Sequence, residues 1–157
     1  MTTVLELVAN LIRTSSDDLA EIANKSGSAN FNFKANEKAR TIHSQLTECC
    51  VINQWTSQVL NDRKMSDMTM EQAVAFFQKA ENDYDTLEKA NAFLASATAH
   101  LIAAVHDFPV EKLDDPLTMP WGETHTFLTL ATLAVWNMNY HQGQINYIHL
   151  YLAPEAA

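Results

Sequence analysis

The sequence predicts an all-α fold, a four-helix bundle formed by a single domain that spans residues 1–157. Apolar side chains recur at alternating spacings of three and four residues in four long segments, the period of helices buried on one face. Glycine and proline are scarce, with three and four copies, so the chain lacks the turn residues that a β fold needs. No stretch alternates polar and apolar residues for long enough to predict a strand.

The first two helices are predicted from their apolar stripes. In the first helix the stripe ends before Gly27, which supplies a stop. The second helix is predicted from Asn36 to Leu60 and contains the adjacent Cys49 and Cys50. Neighbouring cysteines rarely bridge each other, so we interpret them as reduced core thiols; a vicinal dithiol with redox or soft-metal chemistry is the alternative. The first stripe consists of Leu5, Val8, Ile12, Leu19 and Ile22.

The third and fourth helices have clear ends. The third opens at the capping-box-like Asp85–Glu88 and ends before Pro109. The fourth follows the turn at 120–122 and runs to its stop before Pro154. Residues 61–84 connect the second helix to the third, and a connection this long can travel the length of a bundle. The second and third helices can therefore run parallel.

Charge and hydropathy exclude several classes of function. The net charge of −9 and the pI near 4.9 argue against nucleic acids and anionic membranes, which bind clustered lysine and arginine. The N-terminal residues contain no basic segment typical of a signal peptide. No apolar run approaches the roughly 18 residues of a membrane span. We therefore expect a cytoplasmic protein that binds neither nucleic acid nor membrane.

The fourth helix carries polar side chains on its buried stripe, where Asn137, His141 and Gln144 lie between apolar ends. Side chains at i and i+4 are about 6 Å apart at Cβ, so Asn137 and His141 can converge on one metal ion or water. Glu48 lies on the apolar stripe of the second helix. A carboxylate there is unfavourable to bury unless it is paired or coordinated, which makes Glu48 the candidate partner.

Two segments carry a family resemblance: "PWGE" at 120–123 with "NMNYHQGQINYI" at 137–148, and "RTIHSQLTECC" at 40–50. The first resembles the last helix of the DinB-like, or YfiT-like, superfamily, which usually carries His-x-x-x-His-x-Gly-Gln there. The second resembles the second helix of that superfamily. The resemblance implies an up-down-down-up four-helix bundle with a long connection between helices two and three. It also implies a homodimer and a site where three histidines bind a divalent metal.

Transferred to this chain, the resemblance implies a metal site of Glu48, Asn137 and His141, which Gln144 supports by orienting its neighbours. His141 and Gln144 match the family pattern, whereas Asn137 and Glu48 stand where histidines are usual. Oxygen ligands hold nickel, zinc or iron less firmly than imidazoles do. We therefore expect a degenerate site with partial metal occupancy or none.

The function that follows is that of a DinB-like metal-dependent protein whose reaction the sequence does not name. Thiol-dependent transfer or isomerisation is the activity of some family members. The alternative is a metal-free module that keeps the bundle for small-molecule binding or assembly. Trp121 and Tyr140 are expected to line the mouth of a pocket near His141, since "PWGE" directly precedes the fourth helix. No catalytic residue is assigned.

Overall fold

The computed structural model describes residues 2–153 (for Met70, the backbone alone), and the chain is predominantly helical, as predicted. An antiparallel hairpin, with Leu117 opposite His125, corrects the expectation that no strand forms. Its strands are three residues long, too short for alternation in the sequence to reveal them. The elements are α1 (Val4–Asn30), α2 (Ile42–Asp62), α3 (Met70–Asp83), α4 (Leu87–His106), a 3-10 turn (Val110–Lys112), β1 (Pro116–Thr118), β2 (Thr124–Thr126), α5 (Phe127–Tyr147) and a π-helical turn (Ile148–Leu152).

A threonine begins each of the five α-helices among the described residues. The side chains of Thr3, Thr41, Thr69, Thr86 and Thr126 each accept a hydrogen bond from the backbone N–H three residues later. Such a cap satisfies one of the backbone donors that the first helical turn leaves without a partner. The third predicted helix, now α4, therefore begins at Leu87 after the Thr86 cap, rather than at the predicted capping-box-like start at Asp85.

The start of α2 differs from its predicted position near Asn36. The side chain of Asn36 accepts hydrogen bonds from the backbone N–H groups of Lys38 and Ala39, at 2.9 and 3.0 Å. This local turn competes with helix formation. The helix consequently begins six residues later, after the cap at Thr41.

The predicted end of α1 at Gly27 agrees only in part with the structure. Gly27 adopts φ 74° and ψ 162°, a conformation that favours glycine, and it interrupts α1 as predicted. A further helical turn nevertheless continues to Asn30. Pro154, the predicted stop of the last helix, lies outside the described residues.

The long helices share one hydrophobic core. α1 and α2 each pack against α4 and α5, while α3 packs mainly against α2. Buried apolar residues from all these elements and from the hairpin form one cluster. The interface between α2 and α5 contains the candidate site.

Four uncharged side chains, here named the central cluster, contact one another inside the core through two hydroxyls, an amide and a thioether sulfur. They are Ser16, Asn53, Thr98 and Met138, one from each of α1, α2, α4 and α5. Thr98 Oγ1 lies 3.0 Å from Ser16 Oγ and accepts a hydrogen bond from Asn53 Nδ2 at 3.1 Å. The same amide nitrogen lies 3.5 Å from Met138 Sδ. All four residues are buried, so these bonds connect the four long helices inside the core.

Candidate functional site

The three predicted ligands meet between α2 and α5. Glu48 Oε1 lies 3.1 Å from His141 Nε2 and accepts a hydrogen bond from Asn137 Nδ2 at 3.2 Å. His141 and Asn137 are buried, and the Glu48 side chain is 26% exposed. The structure therefore places Glu48, Asn137 and His141 in direct contact through a single carboxylate oxygen. Metal binding by these residues stays a prediction.

The second ring nitrogen of His141 is held by two amide oxygens. Its Nδ1 lies 3.0 Å from Gln144 Oε1 and 3.2 Å from Gln45 Oε1. Gln144 therefore contacts the imidazole that it is predicted to orient. Together with the carboxylate at Nε2, both ring nitrogens lie within hydrogen-bond distance of acceptor oxygens.

Gln45 is a site residue that the sequence analysis did not identify. It is 2% exposed although it is polar. It lies three residues before Glu48 in the same helix, so both side chains share one face. That spacing was available in the sequence and would have identified it.

Arg40 also belongs to the site and was not predicted. Its Nη1 lies 2.5 Å from Glu48 Oε2, and its Nη2 donates to the carbonyl oxygen of Ser44 at 3.0 Å. Arg40 precedes the cap of α2, so helical periodicity gives no indication of its position. We name Arg40, Glu48, Asn137 and His141 the charged cluster.

Glu48 is ionised in this setting. Burial acts to raise its pKa, but the hydrogen bond with His141 and the positive charge of Arg40 outweigh burial and lower the pKa from 4.5 to about 2. The carboxylate therefore carries its charge at neutral pH, and protein groups neutralise it.

The charged cluster as arranged does not fit a divalent metal ion. Glu48 Oε2 is paired with a guanidinium, and Oε1 faces the Asn137 amide nitrogen and the imidazole. Asn137 turns its N–H side, which cannot ligate a cation, to the carboxylate. Within residues 2–153, no group of three His, Cys, Asp or Glu side chains is arranged to hold a metal.

A cavity of about 500 Å³ lies beside the charged cluster, and we name it the polar cavity. Tyr140, which is predicted to line a pocket mouth near His141, lines this cavity. Trp121 lines a different cavity, so its predicted place beside His141 is wrong. It lies in the turn between β1 and β2, where its Nε1 donates to Glu123 Oε2 at 3.1 Å. The polar cavity is lined by Lys38, Ala39, Arg40, Gln45, Tyr140, Gly143, Gln144, Tyr147 and Ile148.

Known proteins give this chain no family assignment. No family model matches it, and no curated protein sequence matches it either. The DinB-like resemblance therefore rests on the segments at 40–50, 120–123 and 137–148 that carry it. Among the described residues, none of the helices is both long enough and apolar enough to cross a membrane.

The two cysteines lie next to the site but point into the core. Cys49 and Cys50 are free and buried, and the Cys50 thiol donates to the carbonyl oxygen of Leu46 at 3.1 Å. Burial raises the pKa of both thiols, and the neighbouring Cys50 and Glu48 raise the pKa of Cys49 further. Both sulfurs therefore stay protonated, which favours the interpretation as core thiols over a reactive dithiol.

Proposed function

We propose that the protein is a cytoplasmic, DinB-like four-helix bundle that binds a small anion at the polar cavity without a metal ion. The ion pair between Arg40 and Glu48 carries this proposal. The guanidinium of Arg40 places beside Glu48 the positive charge that a metal ion would otherwise supply. The site of the resembled family would then persist as a hydrogen-bonded network and a ligand cavity.

The order of hydrogen bonds between helices supports the up-down-down-up course. Cys50 contacts the carbonyl oxygen of Ala90, and Asn53 contacts Thr98, so residue numbers rise together along α2 and α4. That order is expected of parallel helices joined by a long connection. In two other helix pairs the numbers run in opposite directions, as in antiparallel neighbours. These bonds are Asn24–Asn91 and Ser16–Thr98 between α1 and α4, and Gln45–His141 and Asn53–Met138 between α2 and α5.

The charges around the polar cavity favour an anionic ligand. Lys38 and Arg40 both line it, in a chain whose net charge is −9. A guanidinium has five N–H donors, and the bonds to Glu48 and Ser44 use two of them. Arg40 can therefore bind a carboxylate while it remains paired with Glu48.

Two aromatic side chains of α5, Tyr140 and Tyr147, line the same cavity. Tyrosines at a binding site contribute a flat apolar surface and a polar tip. Combined with the two cations, they favour a small aromatic carboxylate over a simple inorganic anion.

Calorimetric titration with benzoate tests this function, with the neutral benzyl alcohol as a control ligand. Benzoate should bind, and Lys38→Gln should weaken its binding about 10-fold, the value of one charged contact of roughly 1.4 kcal/mol. Lys34→Gln is the matched control, since Lys34 is exposed nearby in the sequence but does not line the cavity. Equal binding of benzoate and benzyl alcohol would contradict an anion site.

A metal-dependent function, with nickel, zinc or iron and a thiol-dependent transfer or isomerisation, is the second candidate. One observation favours it: Asn137 Oδ1 is buried beside Glu48 without a hydrogen-bond partner, as a vacant oxygen ligand would be. Elemental analysis of protein purified without a metal-binding tag separates the two functions. One equivalent of metal per chain would favour the second.

We also propose that the protein is a homodimer that pairs through an aromatic face of α5 and the π-helical turn. Trp136 stacks on Tyr140 with ring centroids 5.5 Å apart, and Tyr147 lies 5.3 Å from Tyr151. All four rings are more than half exposed. Light scattering tests this pairing: Trp136→Lys should shift the mass towards the monomer, while Val74→Lys on the exposed face of α3 should not. A monomeric native protein would contradict it.

A further inference from the structure

A second cavity, here named the apolar cavity, lies between α2, α3, α5 and the turn joining β1 to β2. Its volume is about 360 Å³, within the range typical of small-molecule sites. It shares no lining residue with the polar cavity. Its wall contains four aromatic rings, those of Trp55, Phe76, Phe77 and Trp121.

The aromatic rings of the apolar cavity come from three separate segments of the chain. One ring, that of Trp55, is held in place by a hydrogen bond. Trp55 Nε1 donates to Ser66 Oγ at 3.3 Å, which connects α2 to the loop before α3. Trp121 and Phe76 are 57% and 37% exposed. Large aromatic rings gain much from contact with another flat apolar surface, so this wall favours a planar aromatic ligand.

The chemistry of the wall selects an uncharged ligand. No charged side chain among the described residues lines the apolar cavity, although charged residues are 18% of the chain. An ion placed there would lose hydration without gaining a partner. The amides of Gln54 and Gln58 also line the cavity, and both side chains are exposed, so they can hydrogen-bond to a hydroxyl or carbonyl at the edge of the ligand.

We propose that the apolar cavity is a second ligand site, which takes a neutral, planar aromatic molecule. Trp55, Phe76, Phe77 and Trp121 would contact its rings, and Gln54 and Gln58 would bond to its polar edge. The site is independent of the charged cluster and does not require the proposed anion binding.

Fluorescence titration with the neutral probe N-phenyl-1-naphthylamine tests this site. The probe should bind saturably, one per chain, with a Kd on the order of 10 to 100 µM, from the ligand efficiency typical of molecules of its size. Ala73 lines the cavity and Ala75 is exposed on the same helix, so the two positions form a matched pair. Ala73→Phe should fill the cavity and weaken binding at least ~10-fold, whereas Ala75→Phe should leave it unchanged.

Tryptophan emission provides a readout that does not depend on the folding of Ala73→Phe. Trp55 and Trp121 line the cavity, whereas Trp136 is 62% exposed and does not line it. Quenching by the bound probe should fall in Trp121→Phe and persist in Trp136→Phe.

Three results would overturn the assignment. These are absence of saturable binding, equal affinity of Ala73→Phe and Ala75→Phe when both are folded, and equal quenching in the two tryptophan variants. A change of oligomeric mass in Ala73→Phe without probe binding would assign the cavity to a second copy of the chain instead. Benzoate binding should be unaffected by Ala73→Phe, so failure of this site and failure of the anion site are distinguishable.

Discussion

The charged cluster and the central cluster are neighbours in the core but differ in charge and in surroundings. Glu48 and Asn53 are five residues apart on α2, and Asn137 and Met138 are adjacent on α5. The central cluster is neutral, fully buried and shared by four helices. The charged cluster joins α2, α5 and the segment before α2, and it borders a cavity.

This contrast distinguishes two uses of polar groups inside a helical core. A neutral group bonded to every neighbouring helix fixes how the helices align, and it leaves little for a ligand to contact. A charged group beside a cavity keeps donors that a ligand can reach. Charge and access to solvent, rather than burial of polar atoms as such, therefore distinguish the candidate functional cluster.

Glu48→Gln should have the largest effect on stability. The native pKa of about 2 lies below the ordinary 4.5, so ionised Glu48 stabilises the fold above about pH 4.5 and this contribution is lost as the pH falls towards 2. We expect a loss of about 2 to 3 kcal/mol at pH 7, allowing for the exposed quarter of the side chain. Urea unfolding of both proteins at pH 7 and pH 2 measures it. A difference that persists at pH 2 would contradict the ion pair.

Asn53→Ala should have a smaller effect that does not depend on pH. The substitution removes the amide that donates to Thr98, so we expect a loss of about 2 kcal/mol. The same urea experiments at the two pH values provide the measurement. A loss that varies with pH as strongly as that of Glu48→Gln would show that the two clusters are coupled.

The caps of α2 and α4 should give the smallest effects. Thr41→Ala and Thr86→Ala each remove one cap and should each lower the free energy of unfolding by about 1 kcal/mol. Thr41 directly follows Arg40 and lies three residues after Lys38, so only its substitution should also weaken benzoate binding. Equal benzoate affinity in the two variants would show that benzoate binding does not depend on the start of α2.

The helices could be predicted from the sequence because their apolar period is long and regular. The same period identified His141 and Gln144 on one face of α5, and it put Glu48 on the facing stripe. Arg40 could not be found in this way, because it lies before the cap of α2 and outside any helix. The hairpin could not be predicted from periodicity either, because its strands are too short. Its connecting turn contains Trp121, which therefore lines a different cavity from the predicted one.

We propose that the ion pair with Arg40, rather than a metal ion, neutralises Glu48. Calorimetric titration of the native protein and of Glu48→His/Asn137→His with zinc and nickel tests it most directly. The double substitution creates the three-histidine set of the resembled family, and it should raise metal affinity by more than the roughly 10–100-fold that outer-shell changes produce. The native protein should bind neither metal stoichiometrically; one tightly bound equivalent in the native protein would contradict the claim.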